Sequence, residues 1–201
     1  MKIYKDDRNA MATNSYLLVL DNKDCYIIDA TSKLDYLRQI IEEEELNLKA
    51  ILLTHAHFDH ILGLEYLRKL YGVDVVCHID EKEVLTNKNI NLSSMIGKTM
   101  EYEADIYLEG ESGEYQDIKY ILTPGHTKGG ICFFIDKHLF TGDTLFAGSI
   151  GRSDFPGGDY NTLISSIKEK ILTFDPDTII YPGHGPESRI EIEINSNPFL
   201  I

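Results

Sequence analysis

The segment Leu52–His60 reads LLTHAHFDH and holds three of the chain's seven histidines, with an aspartate among them. His55 and His57 are two residues apart, so in an extended segment their side chains point the same way. Asp59 and His60 follow at the turn into a helix, where the direction changes. Three more such residues stand at the ends of apolar runs: His126 closes YILTPGH, Asp143 closes LFTGD and His184 closes IIYPGH. Imidazole nitrogen and carboxylate oxygen both suit zinc and neighbouring divalent metals. The spacing predicts two ions: His55, His57 and His126 on the first, Asp59, His60 and His184 on the second, and Asp143 bridging with its two oxygens. Such a pair activates water by lowering its pKa to about 7. Each motif alone has a plainer reading. Asp59 could be a helix cap, and the glycines at 125, 142, 183 and 185 could serve turns. All of them together, in this order, favour the metal centre. His78 and His138 have no partner motif and read as structural or surface residues.

Strands must hold these ends. Ser15–Leu20 and Tyr26–Asp29 read as a hairpin around the turn residues Asp21, Asn22 and Lys23. Ser32 is placed to cap a helix whose Leu34, Leu37 and Ile41 recur at helical spacing. Ala50–Leu53 is a strand buried on both faces. Ile61–Tyr71 reads as a helix and Val73–Cys77 as a strand. Residues 87–116 read as surface structure around one short strand, Asp105–Leu108. Ile118–Thr123, Ile131–Ile135 and His138–Thr141 are strands, the last two joined by a tight Asp136-Lys137 turn. Tyr160, Leu163, Ile164, Ile167 and Ile171 share one helix face behind a cap at Asp159, and Thr178–Tyr181 is the last strand. Two successive sets of strands, each with helices, predict a four-layer αβ/βα sandwich in a single domain spanning 1–201.

Composition narrows the partners. Lys and Arg total 19 against 33 Asp and Glu, a net charge of −14. Such a surface repels nucleic-acid backbones. The acid concentrates in Glu42–Glu45, read as a solvated helix end. No apolar run approaches the roughly 20 residues that span a bilayer, and Met1–Arg8 is too polar for a signal-peptide core. Cys25, Cys77 and Cys132 form no CxxC pair and sit in strand-like contexts, as buried free thiols in a reducing cytoplasm would. The expected partner is a small molecule. Oligomeric state is not readable.

THAHFDH (54–60), PGHT (124–127), GDTLF (142–146) and PGHG (182–185) resemble the metallo-β-lactamase superfamily. GDTLFAGSIGRSDFPGGD (142–159) and the tail NPF resemble its glyoxalase II-like hydrolases, especially the short forms. The resemblance implies the same seven ligands and hydrolysis of a thioester by metal-activated water. Asp59 orients that water and Asp143 bridges. Zinc is the first choice of metal, with iron or manganese as alternatives. The Asp143 bridge stands against a true zinc β-lactamase. The tail Gly185–Ile201 does not match the helical extension with which full-length glyoxalase II proteins hold glutathione. Arg152, in the loop GSIGRSDFPGG, is expected to pair with Asp59 or Asp29 and order that loop, or else to meet an acidic substrate. Phe155 and Tyr181 are pocket candidates. Other readings of the same frame are a mononuclear iron persulfide dioxygenase, a lactonase, a nuclease, and a non-catalytic metal-binding interaction module.

Overall fold

Alternation along the strands builds the architecture. In β2 (Ser15–Val19), Leu17 faces one apolar cluster and Leu18 another; in β3 (Asp24–Ile28), Ile27 and Ile28 divide the same way. Side chains alternate faces along a strand, so a wholly apolar strand has both faces covered. A computed structural model describes residues Met1–Ile201. One sheet runs β1 (Lys2–Asp6), β2, β3, β4 (Asn47–Leu52), β5 (Asp74–His78) and β6 (Ile106–Leu108). It is antiparallel from β1 to β3 and parallel from β3 to β6.

The second sheet contains β7 (Ser112–Tyr115), β8 (Ile118–Leu122), β9 (Ile131–Ile135) and β10 (His138–Gly142), then β13 (Ile179–Pro182) and β14 (Ser188–Arg189) beyond β10. A separate two-stranded ribbon, β11 (Leu145–Phe146) and β12 (Ser149–Ile150), lies between them in sequence. β10 and β13 are parallel, so their carboxyl ends share an edge.

Tyr26, Ile28, Leu52, Phe133 and Phe140 meet between the sheets. α1 (Asp35–Glu43), α3 (Leu64–Tyr71) and α4 (Lys82–Thr86) cover the first sheet's outer face; α5 (Tyr160–Glu169) and α6 (Ile190–Ser196) cover that of the second. The result is the expected four-layer sandwich. Truncating a core aromatic such as Phe133 to Ala should cost about 3–5 kcal/mol. The three cysteines are free and buried. No helix is long and apolar enough to cross a membrane.

Several local expectations change. Ser32 does not cap α1. The helix starts at Asp35 after Leu34, which takes a left-handed backbone, and the Ser32 hydroxyl accepts from the Leu34 N–H. The expected helix over 61–71 is two helices, α2 (Phe58–Ile61) and α3, broken at Gly63. Gly63 donates to the Ala30 carbonyl, and a Cβ there would lie 1.7 Å from the Ser32 carbonyl oxygen. Only a glycine permits that contact. Tyr160 is half exposed, whereas Leu163, Ile167 and Ile171 are buried; Asp159 does cap α5, accepting from Thr162 N. Glu44 is tied to β1 by Lys2 and Tyr4 rather than simply solvated.

Residues 87–116 are not merely surface. Asn91, Leu92, Ser93 and Met100 are buried, and the stretch also contributes the whole of β7. Two of its buried polar residues are spent internally. Asn91 donates to the Met100 carbonyl and Ser93 Oγ accepts from Met100 N, so the segment folds on itself above α2.

Candidate metal centre

The site forms where the strands of both sheets end. His55 and His57 follow β4, His126 follows β8, Asp143 follows β10 and His184 follows β13. Asp59 and His60 lie in α2, whose first amide, Phe58 N, donates to the Asn91 carbonyl. Asp59 caps nothing; its carboxylate turns into the cluster. The Gly142 carbonyl accepts from Gly183 N, setting the Asp143 and His184 loops side by side. A Cβ on Gly183 would stand 2.2 Å from Asp143 Oδ1 and 2.8 Å from His60 Cε1. The glycine is there because the cluster occupies that space.

Three imidazoles converge on one point. His126 Nε2 lies 2.8 Å from His57 Nδ1 and 3.2 Å from His55 Nε2. Their protons can be assigned. His126 Nδ1 is 2.6 Å from the Arg152 carbonyl, which only accepts, so Nδ1 carries hydrogen and Nε2 a lone pair. His55 Nδ1 meets Thr54 Oγ1, whose own hydrogen goes to Asp29 Oδ2, so His55 Nε2 also carries a lone pair. Burial holds both rings below their ordinary pKa, and it holds His57 down to about 3. Two neutral rings thus aim lone pairs at each other across 3.2 Å. That arrangement repels unless a cation lies near both.

The second group is bound by carboxylates. Asp59 Oδ2 is 3.2 Å from His184 Nε2 and 3.7 Å from His60 Nε2, and accepts from Thr13 Oγ1. Asp143 faces both groups. Its Oδ1 is 3.3 Å from His60 Nε2; its Oδ2 is 3.6 Å from His184 Nε2 and 3.7 Å from His126 Nε2. Burial opposes charge on His60 and His184, but the surrounding carboxylates outweigh it and raise both. Burial likewise opposes charge on Asp59 and Asp143, and the histidines, His60 foremost, outweigh it and lower both. His57 Nε2, His60 Nε2 and Asp143 Oδ1 are buried without a hydrogen-bond partner. His55, His57 and His126 form one set of close donors, and Asp59, His60 and His184 another. Orphaned donor atoms, opposed lone pairs and mixed nitrogen and carboxylate ligands fit divalent metal ions.

A cavity of about 400 Å³ opens onto the cluster. Met11, Phe58, Leu92, Phe146, Ile150 and Phe155 supply its apolar walls, with Arg152 at the edge. Phe155 lines the cavity, its ring edge-on to His57. Tyr181 does not. Alternation along β13 sends Ile180 outward and Tyr181 between the sheets, where it stacks on Phe140 and its hydroxyl meets His138 Nδ1. Arg152 pairs with neither Asp59 nor Asp29. Its guanidinium makes a two-pronged bond to the exposed Asp154 and lies over Phe155; only its backbone carbonyl reaches the cluster.

Asp29 is the main residue that motif reading underweights. It follows β3 as His55, His126, Asp143 and His184 follow their strands, and that position is the available signal. It accepts from Thr54 N, Thr54 Oγ1 and His60 Nδ1. Thr13, Met11 and Leu92 carry no signal, because they come from loops that only folding brings to the site.

Comparison with known proteins gives the family and the fold. The chain is 39% identical over 195 residues to the probable metallo-hydrolase YqgX of Bacillus subtilis, covering 93% of this chain and 92% of that one. It is 39% identical over 202 residues to the hydroxyacylglutathione hydrolase GloC of Haemophilus influenzae, covering 95% and 94%. Among solved structures, the BLEG-1 B3 metallo-β-lactamase superposes with a TM-score of 0.91 at 36% identity over 99% of both chains. TTHA1623 in a di-iron-bound form superposes with 0.88 at 28% identity, over 98% of this chain and 100% of that one. The metallo-β-lactamase superfamily model matches residues 8–184, and the chain belongs to that superfamily.

Proposed function

We propose that the protein is a binuclear metal-dependent hydrolase acting on a thioester, in the manner of glyoxalase II. His55, His57 and His126 would hold one ion, Asp59, His60 and His184 the other, and Asp143 both. The carrying observation is Asp143, whose two oxygens face His60, His126 and His184 at 3.3–3.7 Å. Two divalent ions, when bound, supply Lewis acidity and lower the pKa of water to about 7. Zinc is the first choice; the di-iron form of TTHA1623 supports iron as the alternative.

The chain's own groups do the rest. Asp59, held by Thr13, accepts a hydrogen bond from the attacking water and orients it. Phe155, Phe146 and Leu92 shield the acyl group from bulk water. A thiolate leaves readily and needs little help from a general acid. In keeping with that, no Ser, Cys or Lys lines the cavity as a rival nucleophile or proton donor.

The test is a substrate panel on protein loaded separately with zinc, iron and manganese: S-lactoylglutathione, a neutral acyl thioester, a chromogenic cephalosporin, and a persulfide under oxygen monitoring. Thioester turnover above the other two reactions is expected. The cephalosporin arm is needed because of the similarity to BLEG-1. Turnover of the cephalosporin alone, or oxygen uptake with the persulfide and no thioester cleavage, would overturn the reading.

A further inference from the structure

Glu81 is a fully buried carboxylate outside the ligand set. It ends the turn Ile79–Glu81 that follows β5. Its Oε2 accepts from Ala56 N at 2.9 Å, and its Oε1 accepts from Gly129 N at 3.0 Å. Ala56 lies between His55 and His57. Gly129 lies in the loop that carries His126, between β8 and β9. Neither amide sits in a helix or strand, and neither makes a backbone hydrogen bond. One carboxylate therefore satisfies, and ties together, two ligand loops that come from different sheets.

The turn carrying Glu81 is itself fixed. His78 Nδ1 accepts from Asp80 N, and its Nε2 donates to the Gly110 carbonyl. The His126 loop is pressed against that turn, since a Cβ on Gly129 would lie 2.4 Å from Glu81 N. A buried carboxylate is costly to keep. An apolar side chain would fill the space more cheaply but would leave two buried N–H groups unpaired.

We propose that Glu81 is a positioning residue that fixes the spacing between the His55–His57 pair and His126, and so sets metal affinity at that half of the centre. This rests on the reading that those three histidines hold an ion. The test is Glu81→Gln, whose amide offers a donor where one N–H needs an acceptor. Metal-free wild type and variant are titrated with zinc against a chromophoric chelator, with circular dichroism to establish folding.

The expected result is an affinity loss of about 10–100-fold at one site, the range usual for groups that orient metal ligands. The second site should stay within about threefold, and kcat should fall with KM unchanged. A folded variant that binds both ions as tightly as wild type would overturn the proposal. Wild type that binds no zinc would instead remove the metal reading beneath it. Should Glu81→Gln fail to fold, hydrogen exchange in metal-free wild type decides. The amides of Ala56 and Gly129 should exchange as slowly as those of β4, and fast exchange would overturn the proposal.

Discussion

His60 Nδ1 lies 2.9 Å from Asp29 Oδ2, and that contact turns His60 Nε2 toward Asp59 and Asp143. A histidine donating one nitrogen to a carboxylate presents the other as a fixed, more basic ligand. Asp29→Asn puts an amide donor among three hydrogen bonds that all need an acceptor. The expected outcome is a loss of about 10-fold or more in zinc affinity, read by competition titration. Unchanged affinity would mean that Asp29 does not orient His60.

Gly183→Ala tests how tightly the cluster is cradled. The added methyl would meet Asp143 Oδ1 at 2.2 Å, too close for any contact without movement. Overpacking of this kind costs about 1–3 kcal/mol. The more telling readout is metal content, which should fall because Asp143 must give way. A variant that melts lower yet keeps full metal would show that the loop, not Asp143, moves.

Arg152→Ala separates side chain from backbone. The guanidinium is spent on the exposed Asp154 and on the face of Phe155, so the melting temperature should hardly change. The carbonyl that accepts from His126 remains. Metal content should be unchanged, and an effect confined to KM would show that Arg152 meets the substrate. Loss of metal would show instead that the Arg152–Asp154 pair holds that carbonyl in place.

Glu81 makes stability pH-dependent in a defined direction. Burial, with Asp80 adding to it, pushes its carboxyl up to about 7 from an ordinary 4.5, against the Ala56 and Gly129 amides that favour the charge. The folded state therefore binds the extra proton, and stability from this group is full below about 4.5 and lost as pH rises through about 7. Each tenfold difference in proton affinity between the folded and unfolded chain is worth about 1.4 kcal/mol. The melting temperature of metal-free wild type should fall relative to Glu81→Gln between these pH values. A constant gap would mean that Glu81 ionises at its ordinary value.

The residues gathered at the centre are legible because His55, His126, Asp143 and His184 close apolar runs, His57, Asp59 and His60 follow directly on one of them, and a strand buried on both faces leaves its end as a rigid mount. The sandwich follows from the same runs. Other features depend on contacts distant in sequence. Gly63 breaks a helical pattern only because Ser32 packs against it. Leu92 reaches the cavity only because residues 87–100 fold over α2. Tyr181 misses the cavity because strand alternation turns it between the sheets onto Phe140, a phase that sequence position alone does not give. Glu81 resembles any acid in a charged helix start, since its partners lie 25 and 48 positions away.

The most direct measurement is the metal-to-chain ratio, by elemental analysis, of wild type and Asp143→Ala after the same loading and desalting. Two ions sharing one carboxylate require about two metals per wild-type chain, and about one or fewer once that carboxylate is gone, with thioester turnover lost in parallel. A wild-type ratio near one, or a variant that keeps both ions, would contradict the binuclear centre.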